Sequence, residues 1–258
     1  MLKVLCLLVA CATLLPAASD WKLIWSDEFN GPAGAQPDES KWTYDLGNGG
    51  WGNRELEVYT KDPENVAQDG SGHLVIRAIK TDAGGFTSAR IKTRGKFAVN
   101  YGKIEARIKI PRGQGMWPAF WMLGDNIGAE GWPKCGEIDV MENIGKEPFT
   151  VHGTVHGPGY SGGARISSGF SAGSELADDF HIYGVEWAPE SIRFFFDGKE
   201  YATVTPASLP KGARWVFDHP FFLLLNLAVG GAWPGNPDST STFPQSMLVD
   251  WVRVWQLE

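Results

Sequence analysis

Cysteine is scarce in this chain: Cys6, Cys11 and Cys135 are the three thiols among 258 residues. Two lie in the opening stretch, so a chain cleaved near Ser19 keeps Cys135 alone. An exported protein with one thiol has no internal disulfide, and its stability rests on its core, with a bound metal as the remaining staple. A lone cysteine and histidines without ligand spacing leave no zinc site. Positive charge is also short. Lysine and arginine number 23 against 30 acids, and the net charge of -7 argues against nucleic acid, anionic membrane or heavily sulfated polymers as partners. Beyond the first fifteen residues no apolar run is long enough to span a bilayer, which excludes membrane insertion. Amphipathic helices, internal repeats, linkers and low-complexity tracts are missing too, so one domain of about 240 residues is the simplest division.

The start reads as a leader. One lysine precedes an apolar run from Val4 to Leu15 and a small-residue end at Pro16-Ala17-Ala18-Ser19, the pattern of a secretory signal peptide over residues 1–19. Leu8-Val9-Ala10-Cys11 also resembles a lipobox, which makes lipoprotein anchoring the minor alternative. A catalytic or binding domain would then occupy residues 20–258, in the periplasm or outside the cell, with a monomer as the expected state.

Strands account for most of that domain. Ile104, Ala106, Ile108 and Ile110 alternate with Lys103, Glu105, Arg107 and Lys109, the signature of a half-buried strand. Leu74, Ile76 and Ala78 repeat it, and Asp197-Gly198 inside Ile192–Tyr201 is a hairpin signal. Phe221–Val229 is apolar except for Asn226, and Val249–Trp255 supplies a closing strand. Short strands with Gly and Pro turns predict an all-β fold, two packed antiparallel sheets in a sandwich or jelly roll.

The densest chemistry lies in Glu137-Ile-Asp-Val-Met-Glu142. Side chains alternate along a strand, so Glu137 and Asp139 share a face while Glu142, five residues on, would point away. A β-bulge at Val140-Met141 absorbs the extra residue and returns Glu142 to the acidic face. Crowded carboxylates divide their labour, one keeping a proton while another stays ionised. Glycoside hydrolysis with retention needs that pair, a nucleophile and an acid about 5 Å apart. The plainer reading is a solvated acidic strand or calcium loop. Ile138, Val140 and Met141 weigh against it, because they imply a buried opposite side.

With Trp117-Pro-Ala-Phe-Trp121-Met-Leu before it and His152-Gly-Thr-Val-His156-Gly after it, this run resembles glycoside hydrolase family 16, in particular its laminarinase-like members. Trp51-Gly-Asn-Arg-Glu55 and Asn226-Leu-Ala-Val-Gly-Gly-Ala-Trp-Pro-Gly235 extend the likeness, which runs from Trp25-Ser-Asp-Glu-Phe29 to Val249-Asp-Trp-Val-Arg-Val-Trp255. The resemblance implies a concanavalin-like jelly roll with a concave substrate cleft, cutting β-1,3-glucan chains internally with retention, laminarin first and mixed-linkage β-1,3-1,4-glucan second. It assigns Glu137 as nucleophile, Glu142 as acid/base and Asp139 as the residue that tunes them. It places His156 beside them, although a hydrogen-bonded strand histidine would read the same.

Aromatic and polar positions matching the family's cleft are Trp117, Trp121, Trp132 and Trp233, whose faces suit sugar rings, together with Asn53, Arg90 and Asn226. Any one tryptophan serves equally well in a core, and Arg90 in a surface ion pair. An amide in an apolar strand is costly unless bonded, which makes Asn226 the most informative of the three. No cofactor is implied for catalysis. A structural calcium on the convex side is, through Glu28, the Gly72 carbonyl and Asp250, unless Asp250 simply pairs with a cation. Two alternatives remain: a non-catalytic glucan-binding lectin on the same fold, and a family 16 enzyme acting on agarose or carrageenan or transferring glycosyl groups.

Overall fold

Apolar alternation is realised as two stacked sheets in the computed structural model, which describes residues 20–258. The expected leader, with Cys6 and Cys11, lies outside the described residues. Strands are numbered along the chain. Ten form one sheet: β1 (Trp21–Asp27), β3 (Glu57–Tyr59), β4 (Val66–Gln68), β5 (Leu74–Lys80), β6 (Phe86–Ser88), β8 (Gly102–Lys109), β13 (His181–Ala188), β14 (Ser191–Phe196), β15 (Lys199–Val204) and β17 (Gln245–Leu257). The other holds seven, in the order β12 (Ile166–Ser171), β11 (Thr150–His156), β10 (Glu137–Glu142), β9 (Met116–Gly124), β16 (Phe221–Val229), β7 (Arg90–Lys92) and β2 (Thr43–Asp45). Pairing is antiparallel except between β3 and β6. The one α-helix among the described residues is a single turn, Ile127–Glu130.

The core lies between the sheets. From β8, Ile104, Ala106 and Ile108 enter it fully buried, while Lys103, Glu105 and Arg107 face outward. Burying one such isoleucine stabilises the fold by about 1.5–3 kcal/mol. Across the gap Phe120 and Met122 of β9, Ile138 of β10 and Leu223, Leu225 and Leu227 of β16 meet them. Asp197 and Gly198 both adopt positive φ, 46° and 75°, and turn β14 directly into β15. Asp27, 7 % exposed, accepts the Trp42 indole N–H at 2.7 Å and the Phe29 backbone N–H at 3.2 Å, tying the segment after β1 to the core. β16 is buried on both faces, because Phe222 and Leu224, turned away from the main core, pack with Leu123, Cys135, Ala98, Trp121 and Ile127. The site lies on that outer side of the seven-stranded sheet.

Candidate active site

A register shift creates the site. Asp139 pairs with Thr154 of β11 and Glu142 with His152, so three steps along β10 match two along its neighbour. On the other side Asp139 pairs with Trp121, Met141 with Phe120 and Glu142 with Ala119. The bulge lies at Val140-Met141 as expected, and Val140 is the residue without a partner on β9. Ile138, Val140 and Met141 all pack into the core. Glu137, Asp139 and Glu142 consequently share the outer face.

Each outer glutamate has its own indole donor. Trp132 donates Nε1–H to Glu137 Oε2 at 2.8 Å, and Trp117 donates Nε1–H to Glu142 Oε1 at 3.0 Å. His156 stands opposite Glu137 on β11, its Nε2 3.5 Å from Glu137 Oε1 and 3.2 Å from Asp139 Oδ2. Its Nδ1 accepts the Gly162 backbone N–H at 3.2 Å, so the neutral ring carries its proton on Nε2, toward the acids. The contact with Asp139 is close but off the line a hydrogen bond needs, and Asp139 Oδ2 is buried without a partner.

Burial pushes the Glu137 carboxyl well above its usual range, with Asp139 adding repulsion and His156 opposing it. Asp139 is raised for the same first reason, then by Glu142. Glu142 is raised by burial too, against the lowering effects of His156, Trp117 and Arg165. Such a cluster retains a proton at neutral pH. The three carboxyls titrate as one coupled group, so Asp139, with an oxygen lacking a donor, and Glu142 can hold protons while Glu137, beside the Trp132 indole N–H and the His156 ring, carries the charge.

Two groups flank the acids. Beyond Glu142, Trp117 meets Trp233 edge-on at 5.5 Å, His152 meets Trp233 at 5.1 Å, and the Arg165 guanidinium lies 4.6 Å from the Trp233 ring. The second group is centred on Asn226, 6 % exposed. Its Oδ1 accepts from Trp121 Nε1 at 2.7 Å and its Nδ2 donates to the Tyr59 hydroxyl at 3.1 Å. The amide is thereby satisfied, and it holds Trp121 in place. Arg90 pairs with Asp45 at 3.0 Å and lies over Trp121 at 4.6 Å and Trp51 at 5.1 Å. Asn53 is exposed at the edge of this group and donates to Glu55 at 2.9 Å.

The geometry brings together the eleven residues expected to do chemistry or bind sugar. It adds Trp51, Tyr59 and Arg165, and behind them Glu55 and Glu57. Arg165 had no signal in the sequence, since it lies on a glycine-rich loop and acquires meaning only through Trp233, 68 residues away by number. Trp51 and Glu55 both stand within the matching Trp51–Glu55 segment and were legible there.

Among the described residues, Glu137, Asp139 and His156 bring ligand atoms within 4.8 Å of one another. The His156 tautomer works against a cation there, because the nitrogen facing the acids is the protonated one. The expected calcium set fares no better. Both oxygens of Glu28 accept from Arg253, at 2.9 and 2.8 Å, and Asp250 is paired with Arg107. As arranged, these carboxylates do not fit a calcium ion, since two guanidinium groups already neutralise them.

Residues 53–253 match the model of the glycosyl hydrolases family 16. A β-glucanase of Rhodothermus marinus is 43 % identical over 98 % of this chain and 92 % of its own length. The laminarinase catalytic domain of Thermotoga maritima superposes with a TM-score of 0.86 at 48 % identity, covering 93 % of this chain and 99 % of the other. A non-specific endo-β-1,3(4)-glucanase co-crystallised with 1,3-β-D-cellotriosyl-glucose gives 0.83 at 37 % identity, covering 93 % and 96 %.

Proposed function

Because the chain belongs to the glycosyl hydrolases family 16, we propose that it is an endo-acting β-1,3-glucanase that hydrolyses laminarin-type glucan by double displacement. One observation carries this reading: the bulge returns Glu142 to the face of Glu137 and Asp139, and each glutamate faces its own indole donor. In the first step a Glu137 oxygen attacks the anomeric carbon, the glycosidic C–O bond breaks, and Glu142 gives its proton to the departing sugar oxygen. A glycosyl ester on Glu137 results. In the second step Glu142 takes a proton from water, the hydroxide attacks the same carbon, and Glu137 leaves as a carboxylate. Two inversions give retention. Asp139 keeps a proton between the two, and the His156 ring stands beside Glu137 and Asp139.

Trp132 offers a sugar ring an exposed face, and the Trp117–Trp233 and Trp121–Trp51 groups extend the binding surface on either side. Relatives named for β-1,3- and β-1,3(4)-glucan support glucan as substrate. The reaction uses only carboxylates and needs no cofactor. The calcium implied by the resemblance does not fit the paired carboxylates and takes no part here. On the character of residues 1–19 we propose export as well, tested by the amino terminus of the protein recovered outside the cytoplasm.

The test is a product profile. Reducing ends should appear on laminarin, more slowly on mixed-linkage glucan, and be absent on agarose, with proton NMR showing the β-anomer formed first. Binding without any new reducing ends would instead make the protein a glucan-binding lectin, and agarose cleavage would replace the substrate.

A further inference from the structure

Arg165 closes a ring of contacts around the acids. It ends the loop that joins β11 to β12, where Gly162 takes a positive φ of 55°. That turn aims the Gly162 N–H at His156 Nδ1, and the Gly162 carbonyl accepts from Arg165 Nη1 at 3.3 Å. From there the guanidinium reaches Trp233, whose segment follows β16. Trp233 packs on Trp117, and Trp117 bonds Glu142. One side chain thus connects to the acids by two routes, through His156 and through Trp117. Its Nε is buried without a partner.

We propose that Arg165 is a positioning residue of this active site, a cationic strap that pins Trp233 beside Glu142 and supplies the fixed positive charge facing Glu142 and Asp139. The inference rests on the glucanase reading. Glu142 is also faced by Glu137 and Asp139 on its own strand, Thr154 and His156 on β11, Trp117 on β9 and Tyr201 on β15. The acids, the imidazole and the phenol among these are ionisable groups, and Arg165 is the one whose charge is fixed. Burial raises both Asp139 and Glu142, and Arg165 acts against it at each. The consequence is directional. A general acid works while protonated, so removing the cation should let Glu142 hold its proton to higher pH.

The test compares Arg165→Met, which keeps bulk, with Arg165→Lys, which keeps charge. For Arg165→Met the alkaline limb of kcat/KM should move up by roughly half a pH unit to one unit, and KM for laminarin should rise several-fold as Trp233 loses its support. Arg165→Lys should restore the limb and leave KM raised, because an ammonium does not stack as a guanidinium does. An unmoved limb in Arg165→Met, or equal limbs in the two variants, overturns the proposal. Should Arg165→Met not fold, Arg165→Gln takes its place. Infrared difference titration of the carboxyl bands provides a readout without turnover: Arg165→Met should shift a carboxyl titration upward, and an unchanged titration overturns the proposal. An inactive parent enzyme with the infrared shift intact would sink the glucanase reading alone.

Discussion

Trp132 donates its indole N–H to Glu137 at 2.8 Å while 49 % of the residue remains exposed. It is both a hydrogen-bond donor to the proposed nucleophile and an open face for sugar. Replacement by Phe separates these roles, because the ring stays and the donor goes. Burial raises the Glu137 carboxyl most, Asp139, His156 and Glu142 act on it next, and the Trp132 N–H works to lower it. Without it the nucleophile holds its proton more tightly, so the acidic limb of kcat/KM should move to higher pH. A hydrogen bond to a charged group is worth about 1.5 kcal/mol or more, so activity on the acid side should fall about tenfold. A uniform loss at all pH values would assign Trp132 to stacking alone.

The two glutamates should separate by leaving group. Glu137→Gln keeps the shape and loses the nucleophile, so laminarin should bind while turnover falls by several orders of magnitude. Glu142→Gln should hydrolyse an activated aryl glucoside far better than laminarin, because a good leaving group departs without a proton. Steady-state rates on both substrates decide this. Equal losses on the two would move the acid role to another residue.

Local patterns carried much of this molecule, and contacts distant in sequence carried the rest. The β8 alternation and the β14–β15 hairpin were legible because neighbouring residues set them. The bulge was legible because five-residue spacing of three acids around buried Val and Met leaves one way to face them together. The partners of Asn226 were not, since Tyr59 and Trp121 arrive from strands 167 and 105 residues away. The failure of the calcium set has the same origin. Residue type permits an oxygen site at Glu28 and Asp250, but the arginines beside them, Arg253 and Arg107, are placed by strand register.

Those arginine pairs bear on metal removal. With Glu28 and Asp250 already neutralised, chelation should leave the melting temperature unchanged in calorimetry. Glu28→Gln should cost no more than about 1 kcal/mol, as expected for a pair still partly open to solvent. Saturable calcium binding that disappears in Asp250→Asn would reinstate the ion.

Glu57 gives stability a pH dependence of its own. Its side chain is fully buried, Oε2 accepts the Val229 N–H at 2.7 Å, and Oε1 has no partner. Burial first, then Glu55, push its pKa from 4.5 to about 8. Between those values the folded protein keeps a proton that the unfolded chain has released. The contribution of Glu57 to stability therefore declines as pH rises through that window and is constant above it. Glu57→Gln removes the titration, so its melting temperature should gain on the parent between pH 5 and pH 8.5. Parallel curves would mean that Glu57 ionises normally.

The register shift in β10 offers the most direct link from fold to chemistry. Val140 has no partner on β9, so deleting it lets Met141 follow Asp139 in regular pairing and returns the last acid to alternation with Glu137 and Asp139. All three carboxylates still share a face. What changes is the reach of the acid, now four positions from the nucleophile, and a displacement of about 1 Å can cost on the order of a hundredfold in rate. A folded, weakened, retaining enzyme is the expected outcome. Val140→Ala is the control, because it keeps the inserted backbone while removing core volume at a cost of about 2 kcal/mol. It should lose stability and keep most of its activity. Chemical denaturation with laminarin kinetics distinguishes the pair, and proton NMR of the first anomer checks retention in both. Full activity in the deletion variant would show that the extra residue does not set the reach of Glu142. An inverted product from the parent would remove the covalent step, and with it the role given to Glu137.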